Sequence, residues 1–311
     1  MEDSSRCCCE IKDEVLDLFY SEKRANNSNI IKFLHRLMDY RIEKVKTDEA
    51  SLQETRELMQ MVFEGREEKF DHGYLRWQYA ENPVGTIVGF NAYMGDVLAA
   101  HYVTMPIYMN IEGKKTLGVL PLNTATHPEH RGKRLFTILA EKTYQYAAEH
   151  GYKFVIGVAN DQSTHGFIKH LGFKLIGPLT FKIGMGQNLY QRTDYTFTRY
   201  WDKEILDWRL KNPSMKYYKN GDMIVSPIKP GFKKLVYHDK DGLASLNKLH
   251  GRPFNLYIGF GADLKKGCYC GVPKFIEHSP FNLIFRDLTN GELPEVTKDN
   301  ILFELIDFDV A

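Results

Sequence analysis

The chain has 311 residues, of which 43% are hydrophobic and 26% charged, a composition typical of a folded globular protein of about two domains. Its 41 Lys and Arg residues balance 40 Asp and Glu residues, so no nucleic-acid or membrane partner is expected, and any anion site must be local. No run approaches the roughly 18 apolar residues of a membrane helix, and the polar N-terminus does not resemble a signal peptide, so we expect a cytoplasmic protein.

Apolar spacing and turn residues predict an alternating set of helices and strands in the first half of the chain. Residues 1–39 are expected to form a disordered start and a helical extension, with one or two helices over 11–38. The elements predicted next are a strand over 40–46, helices over 49–64 and 74–79, strands over 85–94, 97–109 and 116–126, a helix over 133–149, a strand over 154–158, a helix over 163–171 and a strand over 173–185. This order predicts a mixed sheet.

The second half of the chain contains a weak echo of the first. Segment 71–83 recurs as segment 202–213, because both carry Asp, Leu and Trp at identical spacing, followed by Asn-Pro. The elements predicted after it are strands over 216–219, 222–228 and 233–238, a helix over 242–249, and strands over 254–260, 281–287 and 301–307. The echo predicts a domain over 40–187 and a second, degenerate copy over 188–311; a chance pairing of the two segments is the alternative.

The most informative feature is the loop between the strand over 116–126 and the helix over 133–149. The free N–H groups and positive dipole end of such a helix make its start an anion site. Gly132 allows close approach of a phosphate, and Arg131, Lys133 and Arg134 add positive charge that an unliganded helix start disfavours. The pattern indicates a bound polyanion; a solvated basic helix start is the alternative.

These residues carry a resemblance to a known family. Thr-His-Pro-Glu-His-Arg-Gly-Lys-Arg-Leu-Phe, residues 126–136, resembles the acyl-coenzyme A pyrophosphate motif of the GNAT superfamily, Q/R-x-x-G-x-G/A. Arg131 matches the first position, whereas Arg134 and Phe136 replace the usual small residues. Asn160 and the helix end Phe167–Phe173 also resemble the family, and the likeness covers about residues 40–185.

The resemblance implies an α/β (α+β) fold with a mixed, splayed sheet flanked by helices. It also implies acyl-CoA as co-substrate, either acetyl-CoA or a short hydroxyacyl-CoA. No metal is expected, because the cysteines lack zinc-ligand spacing. The residues expected to bind acyl-CoA are Asn123, Thr124, Ala125, Thr126, Arg131, Gly132, Lys133, Arg134, Leu135, Phe136, Asn160, Ser163 and Phe167.

The catalytic group is less well indicated. Many GNAT members use a Tyr as general acid, and Ile168 occupies that position here. His165, one helical turn earlier, is the candidate acid or base, with Asn160 as the second catalytic candidate; an ordinary surface histidine is the alternative for His165.

The family resemblance also places the acceptor near the short helix over 74–79. Tyr74, Trp77 and Tyr79 are the candidate substrate-binding residues, and core aromatics are their alternative role.

The predicted function is transfer of an acyl group from acyl-CoA to a small-molecule amine by direct attack in a ternary complex. Family likeness suggests a nucleotide-linked amino sugar as acceptor. The alternative is a catalytically silent acyl-CoA-binding sensor or scaffold, which the replaced Tyr and loop glycines favour. The sequence leaves a homo-oligomer open.

Overall fold

The computed structural model describes residues 39–63, 65, 70–185, 189–190, 194–261, 263–264, 269–272 and 281–308. The predicted helices over 11–38 lie outside these residues. Contacts divide the chain into one unit of Met1–Arg41 with Met94–Asp96, and a second of Ile42–Tyr93 with Val97–Ala311. Within the first unit, Arg41 Nη1 donates a hydrogen bond to the Gly95 carbonyl at 3.5 Å.

Side-chain caps define where most of the helices begin. The helices are α1 (Glu49–Val62), α2 (His72–Tyr79), α3 (Leu135–Glu149), α4 (Asp161–His170) and α5 (Lys203–Arg209). Asp48, Asp71 and Asp202 each accept a hydrogen bond from the backbone N–H three residues later, at the starts of α1, α2 and α5. No helix in the described part of the chain is long and apolar enough to cross a membrane.

The first sheet has eight strands in the order β1-β2-β3-β4-β5-β16-β6, with β9 also paired to β3. Its strands are β1 (Arg41–Lys44), β2 (Val88–Met94), β3 (Val97–Ile111), β4 (Lys114–Thr126), β5 (Phe154–Ala159), β6 (Lys174–Pro178), β9 (Phe197–Arg199) and β16 (Asn282–Asp287). The late strand β16 lies antiparallel between β5 and β6. The sheet is therefore mixed, as predicted, but the second half of the chain supplies one of its inner strands.

The second sheet has the order β10-β11-β12-β13-β7-β15, and β14 pairs separately with β8. Its strands are β7 (Thr180–Met185), β10 (Tyr218–Asn220), β11 (Met223–Pro227), β12 (Phe232–His238), β13 (Phe254–Gly259) and β15 (Tyr269–Gly271), and the separate pair is β8 (Leu189–Tyr190) with β14 (Asp263–Leu264). The single strand predicted over 173–185 is in fact two, because the chain passes from the first sheet to the second at buried Leu179.

Two predictions for the second half are wrong. Residues 242–249 form an irregular loop instead of a helix. The Asp239 carboxylate accepts hydrogen bonds from the amides of Leu243 and Ala244, and Lys219 in β10 pairs with the loop as an extended segment. Residues 301–307 form isolated bridges and a short 3-10 turn, Leu305–Asp307, rather than a strand.

The repeated segments fold alike and pack on each other. Trp77 and Trp208 stack with ring centroids 4.9 Å apart and an 18° interplanar angle. Each indole N–H donates to the main-chain carbonyl of the other tryptophan, at 3.0 and 3.1 Å. In both segments the Asn before Pro accepts a hydrogen bond from the amide two residues later. The sequence echo therefore corresponds to a structural one, while the domain boundary at residue 187 stays a prediction.

Candidate active site

The strands β4 and β5 are parallel neighbours that separate after a single register pair. Within this described stretch only Val119 and Val155 are paired. Further along, β4 carries Pro121, which has no N–H to donate to a neighbouring strand. A Cβ on Gly157 of β5 would lie 3.2 Å from the Pro121 ring, so this glycine leaves room for the ring to pack there. The two strands are therefore not paired with each other beyond Val119 and Val155 in the described residues, and the opening between their ends is called the cleft below.

The cleft side of β4 contains a bulge. The β3–β4 register shifts between His101 and Val103, which pair with Ala125 and Leu122. Asn123, with the residue after it, therefore lies outside the regular ladder, and its φ of 45° is left-handed. A bulge of this kind re-aims backbone and side-chain groups, here near the end of β4.

A strained turn joins β4 to α3. Gly132 has φ 73° and Arg134, the residue before the helix, has φ 60°. A non-glycine residue in this conformation is held there by its surroundings, so Arg134 adopts a backbone shape typical of a loop glycine. The helix begins at Leu135, later than predicted, which leaves Lys133 in the turn.

The start of α3 has the properties of an anion site. Its first turn contains no acidic residue, and the Arg134 side chain makes no capping hydrogen bond. Arg131, Gly132 and Arg134 are exposed, and a Cβ on Gly132 would meet no atom within 4 Å. The backbone amides and positive dipole end of α3 therefore lie beside two exposed arginines at the end of β4, where Arg131 Nε donates to the Thr126 carbonyl at 3.4 Å.

A buried polar chain begins at Asn123 in the bulge. The Asn123 amide nitrogen donates to the Gln78 side-chain oxygen and, at 3.2 Å, to the Tyr79 hydroxyl. The Tyr79 hydroxyl lies 2.9 Å from His101 Nε2. Both Asn123 N–H groups are thus used inside the protein, which leaves its Oδ1 as the atom available to a ligand.

The chain continues away from the cleft on the other side of His101. His101 Nδ1 lies 2.7 Å from Asn91 Oδ1 and donates to it. Asn91 donates to the Tyr93 hydroxyl at 3.1 Å, which donates to Glu54 at 2.7 Å. These contacts fix the His101 tautomer so that Nε2 accepts from Tyr79. Burial lowers the pKa of His101 to about 3, so its ring is neutral.

Sequence reasoning missed His101, Gln78 and Asn91 as parts of the site. All three are polar and buried, and two of them lie in strands that are mostly apolar. A polar residue among apolar neighbours in an inner strand was the available signal, because such groups need a hydrogen-bond partner.

The predicted catalytic residues Asn160 and His165 lie at α4, outside the buried polar chain that begins at Asn123. Asn160 is the helix N-cap, and its Oδ1 accepts hydrogen bonds from the Ser163 amide and hydroxyl, both at 2.9 Å. His165 is exposed, with its ring 6.1 Å from that of His170. Ile168 is exposed as well.

An aromatic cluster links the first turn of α3 to α4. The Phe136 ring lies edge-on to Tyr102 and to Phe167, with centroids 5.6 and 5.4 Å away. Phe167 is buried, and Gly166 lies beneath the Phe136 ring, which a Cβ there would meet at 3.6 Å. The large residue at the usual small position of the motif therefore packs sideways onto α4.

The three predicted substrate-binding aromatics are buried. Tyr74 and Tyr79 are fully inaccessible and Trp77 is 3% exposed. The Trp77 face is covered by Trp208. Their burial matches the alternative role of core aromatics rather than an open aromatic face, and the Tyr79 hydroxyl contacts Asn123 from within the core.

The turn before Arg131 groups three further polar side chains. Ligand atoms of His127, Glu129 and His130 lie within 4.8 Å of one another, a spacing that can hold a metal ion. Burial, aided by the nearby Lys133 charge, lowers the pKa of His130. Two histidines and one exposed carboxylate suit a divalent cation such as Zn²⁺ in type but are fewer than the four ligands of a closed site.

Comparison with known proteins agrees with this geometry. Residues 33–176 match the family model of the acetyltransferase (GNAT) domain. Among curated proteins, none matches the chain.

Solved structures share the fold at low sequence identity. A probable N-acyltransferase from Enterococcus faecalis has a TM-score of 0.53 and 12% identity, over 80% of this chain and 73% of that one. Eis1 from Mycobacterium abscessus has a TM-score of 0.51 and 10% identity, over 80% of this chain and 73% of that one. A GCN5-related N-acetyltransferase from Anabaena variabilis has a TM-score of 0.50 and 10% identity, over 80% of this chain and 74% of that one. The chain thus has a GNAT-like fold, and the match to the GNAT domain model covers the separating β4 and β5 strands and the turn into α3.

Proposed function

We propose that the protein transfers an acyl group from acyl-CoA to the amino group of a small molecule. One observation carries this proposal: β4 and β5 separate after Val119 and Val155, next to a helix start that has exposed arginines and no acidic residue. A long, thin anionic cofactor fits this combination, because one end can bind at the helix while its arm enters the cleft.

The pyrophosphate is assigned to the turn and the first amides of α3. Arg131 and Arg134 supply charge, and Gly132 leaves the phosphates room to approach the backbone. The pantetheine arm is assigned to the β4 edge over Asn123–Thr126. Lys133, Leu135 and Phe136 at the helix start, and Asn160, Ser163 and Phe167 on the α4 side, stay predictions for the same ligand.

The chemistry requires no covalent enzyme intermediate. The acceptor nitrogen attacks the thioester carbonyl carbon, a C–N bond forms, the C–S bond breaks, and the amine proton is lost as coenzyme A leaves as its thiolate. Backbone N–H groups turned by the bulge would stabilise the oxyanion. Asn123 Oδ1, oriented by Gln78 and Tyr79, would accept a hydrogen bond from the amine and position it for attack.

The acceptor is proposed to be a small-molecule amine, with a nucleotide-linked amino sugar as the class suggested by family likeness. His165 is the proposed proton donor or acceptor. Its exposed position allows the side chain to exchange protons with solvent.

Thiol release from acetyl-CoA with a panel of amines, including amino sugars and nucleotide-linked amino sugars, tests the proposal. We expect amine-dependent release, reduced roughly tenfold or more in kcat by Asn123→Ala, since one positioning hydrogen bond of about 1.5 kcal/mol is lost. The control variant for the loss of kcat is His170→Ala, which removes an exposed histidine from α4, the helix that carries His165. Coenzyme A binding without turnover on any amine would establish the silent sensor instead.

A further inference from the structure

A cavity of about 830 Å³ lies in the second half of the protein, outside the GNAT site. The loop over 246–253 forms one wall, and β10 with the start of β12 forms the other. Its basic lining residues are Lys219, Lys233, Lys248, His250 and Arg252, and none of its described lining residues is a carboxylate. This volume is typical of pockets that hold small molecules.

The two walls are held together by hydrogen bonds. The Lys219 amide donates to the Asn247 carbonyl at 2.8 Å, and the Leu249 amide donates to the Lys219 carbonyl at 2.9 Å. This pairing sets Lys219 directly beside Lys248. Like charges at paired positions repel, and a negative charge near the pair offsets this repulsion.

One of these lysines has a carboxylate partner. Lys219 Nζ lies 2.7 Å from Asp239, which is buried behind it and also accepts hydrogen bonds from two loop amides. Lys248 is exposed and makes no ion pair with any residue that the structure describes. The positive charge of the pair is therefore only half compensated.

Lys233 is the strongest single observation. Its side chain lines the cavity, yet the residue is only 4% exposed. The ammonium donates to the Arg252 carbonyl, and within the described ranges no carboxylate pairs with it. A buried ammonium without a counter-charge is costly, and burial lowers the pKa of Lys233. An anion in the cavity would supply the missing charge.

Arg252 adds a second anchored cation. Its Nη1 donates to the carbonyls of Lys229 and, at 3.0 Å, Phe232. These bonds fix the end of the loop to the start of β12. The basic wall is thus preorganised, which lowers the ordering cost of binding a ligand.

We propose that this cavity binds a small molecule carrying two or more phosphate groups. Lys233 and Lys248 would contact the phosphates, and Lys219 and Arg252 would hold the two walls that present them. The site is separate from the acyl-CoA residues, and its existence does not depend on the proposed acyl transfer.

Calorimetric titration with inorganic pyrophosphate tests the proposal. The Arg131→Ala/Arg134→Ala variant is used as the parent, so that binding at the α3 start does not contribute. We expect one saturable site, weakened at least tenfold by Lys248→Glu and by Lys233→Met, which removes the charge but keeps the length of the side chain. Lys240→Glu, an equally exposed lysine outside the cavity, should change the affinity less than twofold.

No saturable binding, or equal affinity in the Lys248→Glu and Lys240→Glu variants, would overturn the proposal. Thiol release measured with Lys248→Glu in the unmodified chain separates the two proposals. If Lys248→Glu retains thiol release but loses pyrophosphate binding, the cavity and the acyl-CoA site act independently.

Discussion

The two halves of the chain each contain a parallel strand pair, and the pairs differ in one decisive way. The strands β4 and β5 share one register pair and then separate. The strands β12 and β13 stay paired over four register pairs, from Phe232 with Phe254 to Leu235 with Tyr257. A cofactor arm can lie only between strands whose edges are not already bonded to each other, so β12 and β13 do not offer the opening that β4 and β5 offer.

The segments that connect the two strands of each pair also differ. The connection from β4 to β5 contains a turn with positive φ values at Gly132 and Arg134, followed by the fifteen-residue helix α3. The connection from β12 to β13 is an irregular loop fixed by Asp239 and Lys219. One connection includes the backbone amides of a helix start, whereas the other carries basic side chains that line a cavity. The two halves share the packing segment around Trp77 and Trp208, whereas these connections differ in their chemistry.

The largest expected effect concerns the packing that both halves share. Because Trp77 and Trp208 cover each other and exchange hydrogen bonds, Trp77→Ala and Trp208→Ala should each lower the free energy of unfolding by about 3–5 kcal/mol. Urea denaturation measures both. Phe at either position keeps the stacking and should cost about 1 kcal/mol. Clearly unequal losses would show that the two segments are not equivalent.

The next largest effect concerns coenzyme A affinity, and it distinguishes the turn before α3 from the second half of the chain. Arg131→Ala/Arg134→Ala should weaken coenzyme A binding about 100-fold, since two charge-assisted contacts of about 1.4 kcal/mol each are lost. Lys216→Ala/Lys240→Ala, which removes two exposed charges from the second half, is the matched control and should leave the affinity unchanged. Equal losses in the two double variants would mean that overall charge, and not the α3 turn, attracts the ligand.

A smaller effect is the pH dependence of stability that His101 gives to the first half. Its pKa is lowered by burial to about 3, while the unfolded chain takes up a proton near pH 6.5. Stability should therefore fall as the pH falls from about 6.5 toward 3, by about 2 kcal/mol at pH 5. His101→Gln should flatten this slope in denaturation curves, whereas exposed His250→Gln should not. An unchanged slope in His101→Gln would place the ring in contact with water.

Local patterns predicted those parts of the molecule that depend on local chemistry. The mixed sheet, the repeat of segment 71–83 at 202–213 and the turn before α3 were all visible in spacing and residue type. The helix predicted over 242–249 failed because a distant edge strand, β10, extended that segment. The apolar spacing there was suitable for either structure.

The site was predictable where it depends on backbone and charge, and hidden where it depends on contacts between distant strands. Arg131 and Gly132 are recognisable from the loop alone. Asn123 was expected from family likeness, but its link to His101 required the strand register and the bulge. The insertion of β16 beside β5 could not be predicted, because no local pattern records which strand a distant segment will join.

Amide hydrogen exchange with and without coenzyme A tests most directly whether the open strand pair is the cofactor site. Coenzyme A should slow exchange in β4 over 120–126 and at the first amides of α3, and leave β13 over Phe254–Gly259 unchanged. Slowed exchange in β13, or none in β4 and at the start of α3, would contradict the account.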